Sequence, residues 1–170
     1  MNVSLVIPMY NEEDSIEPLY DAIIDALEPL QYPFEIVLVD DGSTDDTFKR
    51  AKALSMQDPR VRVVRLRKNF GQTAALNAGF QQARGEVIVT MDGDLQNDPR
   101  DIERLLGRMR NGYDVVAGWR EKRKDRFLDR TLPSQIANGL IRKVTGAPIR
   151  DNGCALRARS EERRVGKECT

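Results

Sequence analysis

Two aspartates one residue apart, Asp92 and Asp94, follow a run of apolar and β-branched residues, Val87–Met91, and Gln96 stands two positions further on. Such a run suits a strand buried at the centre of a sheet, and open α/β sheets bind ligands at the C-terminal ends of their strands. Two carboxylates placed there need a counter-charge. A hard divalent cation, Mg2+ or Mn2+, shared with substrate phosphates supplies it. Taken alone, the spacing also fits ordinary loop acids around Gly93, so the company these residues keep decides between the two. Two more polar clusters stand in similar places: Tyr10-Asn11-Glu12 after Val3–Pro8, and Asp40-Asp41-Gly42-Ser43 after Phe34–Val39. Asp40 or Asp41 can accept hydrogen bonds from a base N–H or a ribose hydroxyl, and Pro8 and Tyr10 can offer a flat wall to a base.

Composition narrows the chemistry. The 170 residues suffice for one domain with a substantial core, and 27 Lys and Arg against 27 Asp and Glu leave no global charge for holding nucleic acid. Histidine is absent, which removes histidine-based triads, HExxH zinc sites and histidine general bases together. Two cysteines, Cys154 and Cys169, make neither a zinc pattern nor a disulfide framework, so the cell interior is the expected compartment. No stretch approaches the ~20 apolar residues of a membrane-spanning helix, and MNVSLVIPMYNEE has no signal-peptide character. Neither GxxxxGK[ST] nor a GxGxxG after the first strand is present, against a P-loop NTPase or a classical NAD dehydrogenase.

The elements that must position these clusters alternate. Strands are expected at Val3–Pro8, Phe34–Val39, Val61–Leu66, Val87–Met91 and Asp114–Trp119. A helix from about Asp14 to Leu30 carries Ile16, Leu19, Tyr20, Ile23, Ile24 and Leu27 at helical spacing. Ser43 or Thr44 is expected to cap a second helix, with Asp45 and Asp46 in its first turn. Phe70–Arg84 reads as a helix of small residues (Ala74, Ala75, Ala78, Gly79) able to lie close against the sheet. A fourth helix opens with Asp98 as cap and Pro99 at its first position. This alternation predicts an α/β fold, a doubly wound and mostly parallel sheet with right-handed crossovers and a Rossmann-like nucleotide-binding half. All three polar clusters then meet at one edge.

Together VSLVIPMYNEE, VLVDDGSTDDT, RKNFGQTAALNAGF and VIVTMDGDLQNDP resemble glycosyltransferase family 2, of the GT-A fold, over residues 3–158. DLQ after the first aspartates is similar to the branch that moves a sugar from a nucleotide onto a dolichyl or undecaprenyl phosphate. The resemblance implies an inverting, metal-dependent transfer from a UDP- or GDP-sugar. It implies that Pro8, Tyr10, Asn11, Glu12 and Asp41 contact the nucleotide, and that Asp92, Asp94 and Gln96 form the site for Mg2+ or Mn2+ and the diphosphate. The basic region after Trp119 is implied to meet the acceptor, with Arg120, Arg130 and Ser134 on its phosphate and on the donor diphosphate; Arg130 and Ser134 lie one helical turn apart. Asp151 stands where the family places an acid near the acceptor, and Asp94, Arg120 and Asp151 are the expected catalytic residues. A phosphate acceptor is already ionised at neutral pH and scarcely needs a general base. A solvated mixed-charge helix is the plainer reading of Lys122–Lys124, and core packing that of Trp119, Phe127 and Cys154.

A basic, partly apolar helix also suits an anionic membrane surface, which places the protein at the cytoplasmic face of a membrane. Two alternatives stay open: a family 2 transferase with a glycan acceptor, and a non-catalytic nucleotide-binding α/β module built on Asp40-Asp41. The last residues, RSEERRVGKEC, resemble the translation of a common DNA-sequencing adapter. The expected organisation is thus a transferase domain over 1–159, cut short on its C-terminal side, and a non-native tail over 160–170. Such a chain is expected to bind nucleotide without robust turnover.

Overall fold

A computed structural model describes residues 1–118 and 155–160. Its elements in order are β1 (Val3–Met9), α1 (Ile16–Leu27), β2 (Phe34–Asp40), α2 (Thr47–Gln57), β3 (Val61–Arg65), α3 (Gln72–Gln82), β4 (Val87–Thr90), α4 (Asp101–Arg110), β5 (Val115–Ala117) and β6 (Arg157–Ser160). They build one six-stranded sheet in the order β3-β2-β1-β4-β6-β5.

The first four strands in that order run parallel, with Val3 opposite Phe34 and Val87, and Ile36 opposite Val61. Both sheet faces are covered there, so β1 buries all seven of its residues and needs no polar alternation. One face packs on α1, α2 and α4, through Leu5, Ile7, Leu19, Ile23, Ile36, Leu54, Val89, Ile102 and Leu106. The other packs on α3, whose Ala75 lies in one core cluster with Val6, Val37, Val39 and Ile88. The small residues of α3 permit this approach, as their types predict. A Cβ on Gly79 would run into Val6 Cγ1.

The sheet is mostly parallel as expected, with one departure. β6 enters antiparallel between β4 and β5, pairing Val89 with Ala158 and Val116 with Ala158. Arg-Ala-Arg-Ser has little intrinsic preference for a strand, and the two neighbouring edges impose it. The strand takes in Ser160, the first residue of the expected tail.

Helix starts also move. A 3-10 turn, Glu13–Ser15, precedes α1 and another, Glu28–Leu30, follows it, with Pro29 unable to donate within the helical ladder. Neither Ser43 nor Thr44 caps α2, which begins at Thr47. Ser43 Oγ accepts instead from the Asn11 N–H (3.0 Å), and Asp45 Oδ1 accepts from the Thr47 N–H (3.0 Å). Asp98 is likewise engaged two residues on, accepting from the Arg100 N–H (3.0 Å), and α4 starts at Asp101. Among the described residues no helix is long and apolar enough to cross a membrane.

Candidate active site

Parallel order brings the loops after β1, β2, β3 and β4 to one edge. The β1 and β2 ends are in register, Pro8 opposite Val39 and Met9 opposite Asp40, and the Asp41 N–H donates to the Met9 carbonyl (2.9 Å). Beyond that point the two loops are laced together. Asn11 takes a left-handed conformation (φ 53°), and its Oδ1 accepts from the Thr44 N–H (2.9 Å). The Glu12 N–H donates to Thr47 Oγ1 (2.8 Å), and Glu13 Oε2 accepts from the Asp46 N–H (2.8 Å).

The adjacent acids Asp40 and Asp41 diverge because a strand alternates its side chains. Asp40 is wholly buried; its Oδ1 accepts from the Ser43 N–H (2.9 Å), and its Oδ2 lies 3.3 Å from Arg65 Nε. Asp41 points to the edge and accepts from the Phe70 and Gly71 N–H groups, at 2.8 Å each, just before α3. A carboxylate there also meets the positive end of that helix.

At the end of β4 the chain turns sharply. Leu95 has φ 61°, and the Gln96 N–H closes a short loop by donating to Asp94 Oδ1 (3.0 Å). Gln72, the first residue of α3, donates from Nε2 to Asp92 Oδ1 (2.7 Å).

These loops enclose a cleft of about 320 Å³ lined by Pro8, Met9, Tyr10, Glu12, Asp41, Asn69, Gly71, Gln72, Ala75, Asp92, Gly93 and Asp94. Glu12 reaches across it. Its Oε2 lies against Gly93 and is buried without a hydrogen-bond partner among the described residues. Burial, followed by the charges of Asp94, Asp92 and Asp45, pushes the Glu12 carboxyl up from 4.5 to about 7. Mutual repulsion of this kind marks a place that a cation would relieve. Among the described residues no group of three or more His, Cys, Asp or Glu is disposed to hold a metal ion by itself. Asp92 and Asp94 could still supply two oxygen ligands, which fits a Mg2+-like ion that takes the others from phosphate and water.

Of the residues singled out in the sequence, the structure brings Pro8, Tyr10, Glu12, Asp41, Asp92 and Asp94 to this cleft. Three do not line it. Asp40 is turned inward to Ser43 and Arg65, the left-handed backbone of Asn11 turns its amide to Thr44, and Gln96 is exposed beyond the Leu95 turn. Arg120, Arg130, Ser134, Asp151, Trp119, Lys122–Lys124, Phe127 and Cys154 lie outside the described residues. Sequence reasoning missed Asn69, Gly71 and Gln72. The signal was available, since Asn69 and Gly71 lie in the loop after β3 and Gln72 opens the helix behind it, just as the other clusters follow β1, β2 and β4.

Residues 4–162 match the family described as Glycosyl transferase family 2. A dodecaprenyl-phosphate galacturonate synthase of Rhizobium johnstonii is 45% identical over 159 residues, covering 92% of this chain and 47% of that protein. An undecaprenyl-phosphate 4-deoxy-4-formamido-L-arabinose transferase of Proteus mirabilis is 43% identical over 157 residues, covering 92% of this chain and 48% of that protein. The chain thus spans about half the length of the curated relatives it matches. Among solved structures, glucosyl-3-phosphoglycerate synthase from Mycobacterium tuberculosis, in complex with Mn2+, UDP and glucosyl-3-phosphoglycerate, superposes with a TM-score of 0.69 at 25% identity, covering 95% of this chain and 57% of that one.

Proposed function

Since the chain belongs to glycosyl transferase family 2, we propose that it works in the inverting transfer of a sugar from a UDP- or GDP-sugar to a polyprenyl phosphate, with Mg2+ or Mn2+ at the donor site. The observation that carries this reading is the cleft itself, where Pro8, Tyr10, Glu12, Asp41, Asp92 and Asp94 line one face-to-edge cavity on a GT-A fold. The acceptor class is supported by the relatives, whose names specify dodecaprenyl and undecaprenyl phosphate. The cation is supported by the acid pair and by the Mn2+ of the structural neighbour.

In this reading the half-exposed ring of Tyr10 and the ring of Pro8 flank the base, and Asp41 accepts from a base N–H or a ribose hydroxyl with the lone pairs that Phe70 and Gly71 leave. Asp40 is the strut behind Asp41, not a ligand contact. Asp92 and Asp94 hold the cation, and Gln96 meets the diphosphate from the rim. When bound, the cation offsets the charge that builds on the departing diphosphate. Arg120, Arg130 and Ser134 hold the acceptor phosphate, and Asp151 orients it. The acceptor is an anion, so alignment of its oxygen with the anomeric carbon is the larger task, and proton removal is not required. The proposed place of work is the cytoplasmic face of a membrane, with residues 1–159 as the transferase domain and the remainder as a non-native tail.

The test is calorimetric titration of UDP-glucose and GDP-mannose into the chain, with Mn2+ and with chelator, on wild type and Asp94→Ala. Binding is the proper readout for a chain about half as long as its curated relatives. Metal-dependent binding of one nucleotide sugar, lost in the variant, supports the donor site. A folded chain that binds neither overturns it.

A further inference from the structure

Asp41 and Asp92 follow strands that do not touch, β2 and β4, with β1 between them. Three consecutive residues nevertheless join them. The Phe70 and Gly71 N–H groups are fixed on the Asp41 carboxylate, and the next residue, Gln72, donates to Asp92. The first turn of α3 is itself firm, since the Ala74 and Ala75 N–H groups both donate to the Gly71 carbonyl (3.0 and 3.1 Å). Gln72 is therefore presented to Asp92 by a braced helix start rather than by a loose loop.

From this geometry we propose that Gln72 is a positioning residue of the donor site, orienting the Asp92 carboxylate for its ligand; the inference rests on the donor-site reading above. The residue type is specific. A glutamine amide carries N–H donors, whereas an ionised glutamate of the same length only accepts and would face Asp92 as a like charge. The 2.7 Å contact is short for an N–H···O bond, as suits a carboxylate acceptor. Gln72 further lines a neighbouring cleft of about 530 Å³ that, among the described residues, shares Gln72 and Asp92 with the donor cleft. It thus stands with Asp92 at the wall between the two clefts.

UDP binding in the presence of Mn2+, measured by calorimetry on wild type, Gln72→Ala and Gln72→Glu, tests the assignment. Gln72→Ala is expected to weaken binding about tenfold, and Gln72→Glu to weaken it further, with melting in chelator unchanged for the alanine variant. If Gln72 serves only to pack α3, the near-isosteric glutamate does less harm than alanine, and that order overturns the proposal. So does an alanine variant within about twofold of wild type. Wild-type protein that binds no UDP overturns the donor site as well, which separates the two failures. Should Gln72→Ala not fold, Gln72→Met fills the same space without a donor and takes its place in the comparison.

Discussion

Glu12 Oε2 lies so close to Gly93 that a Cβ at position 93 would collide with it, while Met9 Cγ would stand 3.2 Å from the same carbon. The loop after β1 thus rests on the turn between Asp92 and Asp94, and a hydrogen atom is all the space between them admits. Gly93→Ala should leave the fold nearly intact, because the group in the way is the far end of a flexible side chain. Stability is expected to change by less than about 1 kcal/mol. Metal-dependent nucleotide binding should fall about tenfold, because Glu12 must swing out of the cleft or push the aspartates apart. Calorimetry and thermal melting on the same sample separate the two effects. A variant that binds normally removes Glu12 from the site's working geometry.

The raised Glu12 carboxyl gives a pH dependence of definite sign. Its folded value of about 7 lies above the ordinary 4.5, so the folded state holds this proton more tightly than the unfolded chain does. The folded protein binds more protons through that interval, and stability contributed by this group falls as pH rises from 4.5 to 7. Glu12→Gln should be more stable than wild type at pH 8 in chelator, with the difference shrinking to nothing near pH 4.5. Urea midpoints across that range measure it. Parallel curves for the two proteins would sink the claim.

Asn11 sets up a graded comparison. Its left-handed backbone costs an alanine roughly 1 kcal/mol or more, whereas glycine takes it readily. Its amide oxygen accepts from the Thr44 N–H, a bond that either substitution removes at a net cost of about 1 kcal/mol. Asn11→Gly is therefore expected to destabilise less than Asn11→Ala, although glycine is ordinarily the worse residue in a fixed backbone. Denaturant unfolding of both variants decides, and the reverse order would show that backbone conformation does not govern this position.

How far the residues alone could carry these conclusions differs from place to place. β1, β2 and β4 are readable because both faces of a parallel sheet are covered, so Val3–Met9 and Val87–Thr90 need no polar member facing water. Parallel order then puts Tyr10, Glu12, Asp41, Asp92 and Asp94 at one edge. Where partners are distant in sequence, local rules fail. Ser43 looks like a helix cap but is captured by Asn11, thirty-two positions away. Asp40 and Asp41 are indistinguishable as letters, and only register against Met9 sends one inward to Arg65 and the other outward to Phe70 and Gly71. β6 is the hardest case, since within it Ala158 alone is buried and its pairing is with β4 and β5, both distant in sequence.

The same distance between local and tertiary preference makes Gly79 the last test. In an exposed helix, glycine to alanine would stabilise by about 1 kcal/mol through propensity. Gly79 faces the sheet, however, where a new Cβ would run into Val6 Cγ1 and stand 3.0 Å from Val39 Cγ2. Both valines are wholly buried in strands paired on either side, so neither can step aside without disturbing β1 or β2. Overpacking of this kind costs about 1–3 kcal/mol, which matches or exceeds the propensity gain. Gly79→Ala should therefore be destabilising, whereas Gly107→Ala in α4, where a Cβ meets nothing within 4 Å, should be stabilising. Urea unfolding of the pair measures both signs at once. Stabilisation by both substitutions would mean that α3 stands farther from the sheet than its contacts with Val6 and Val39 require.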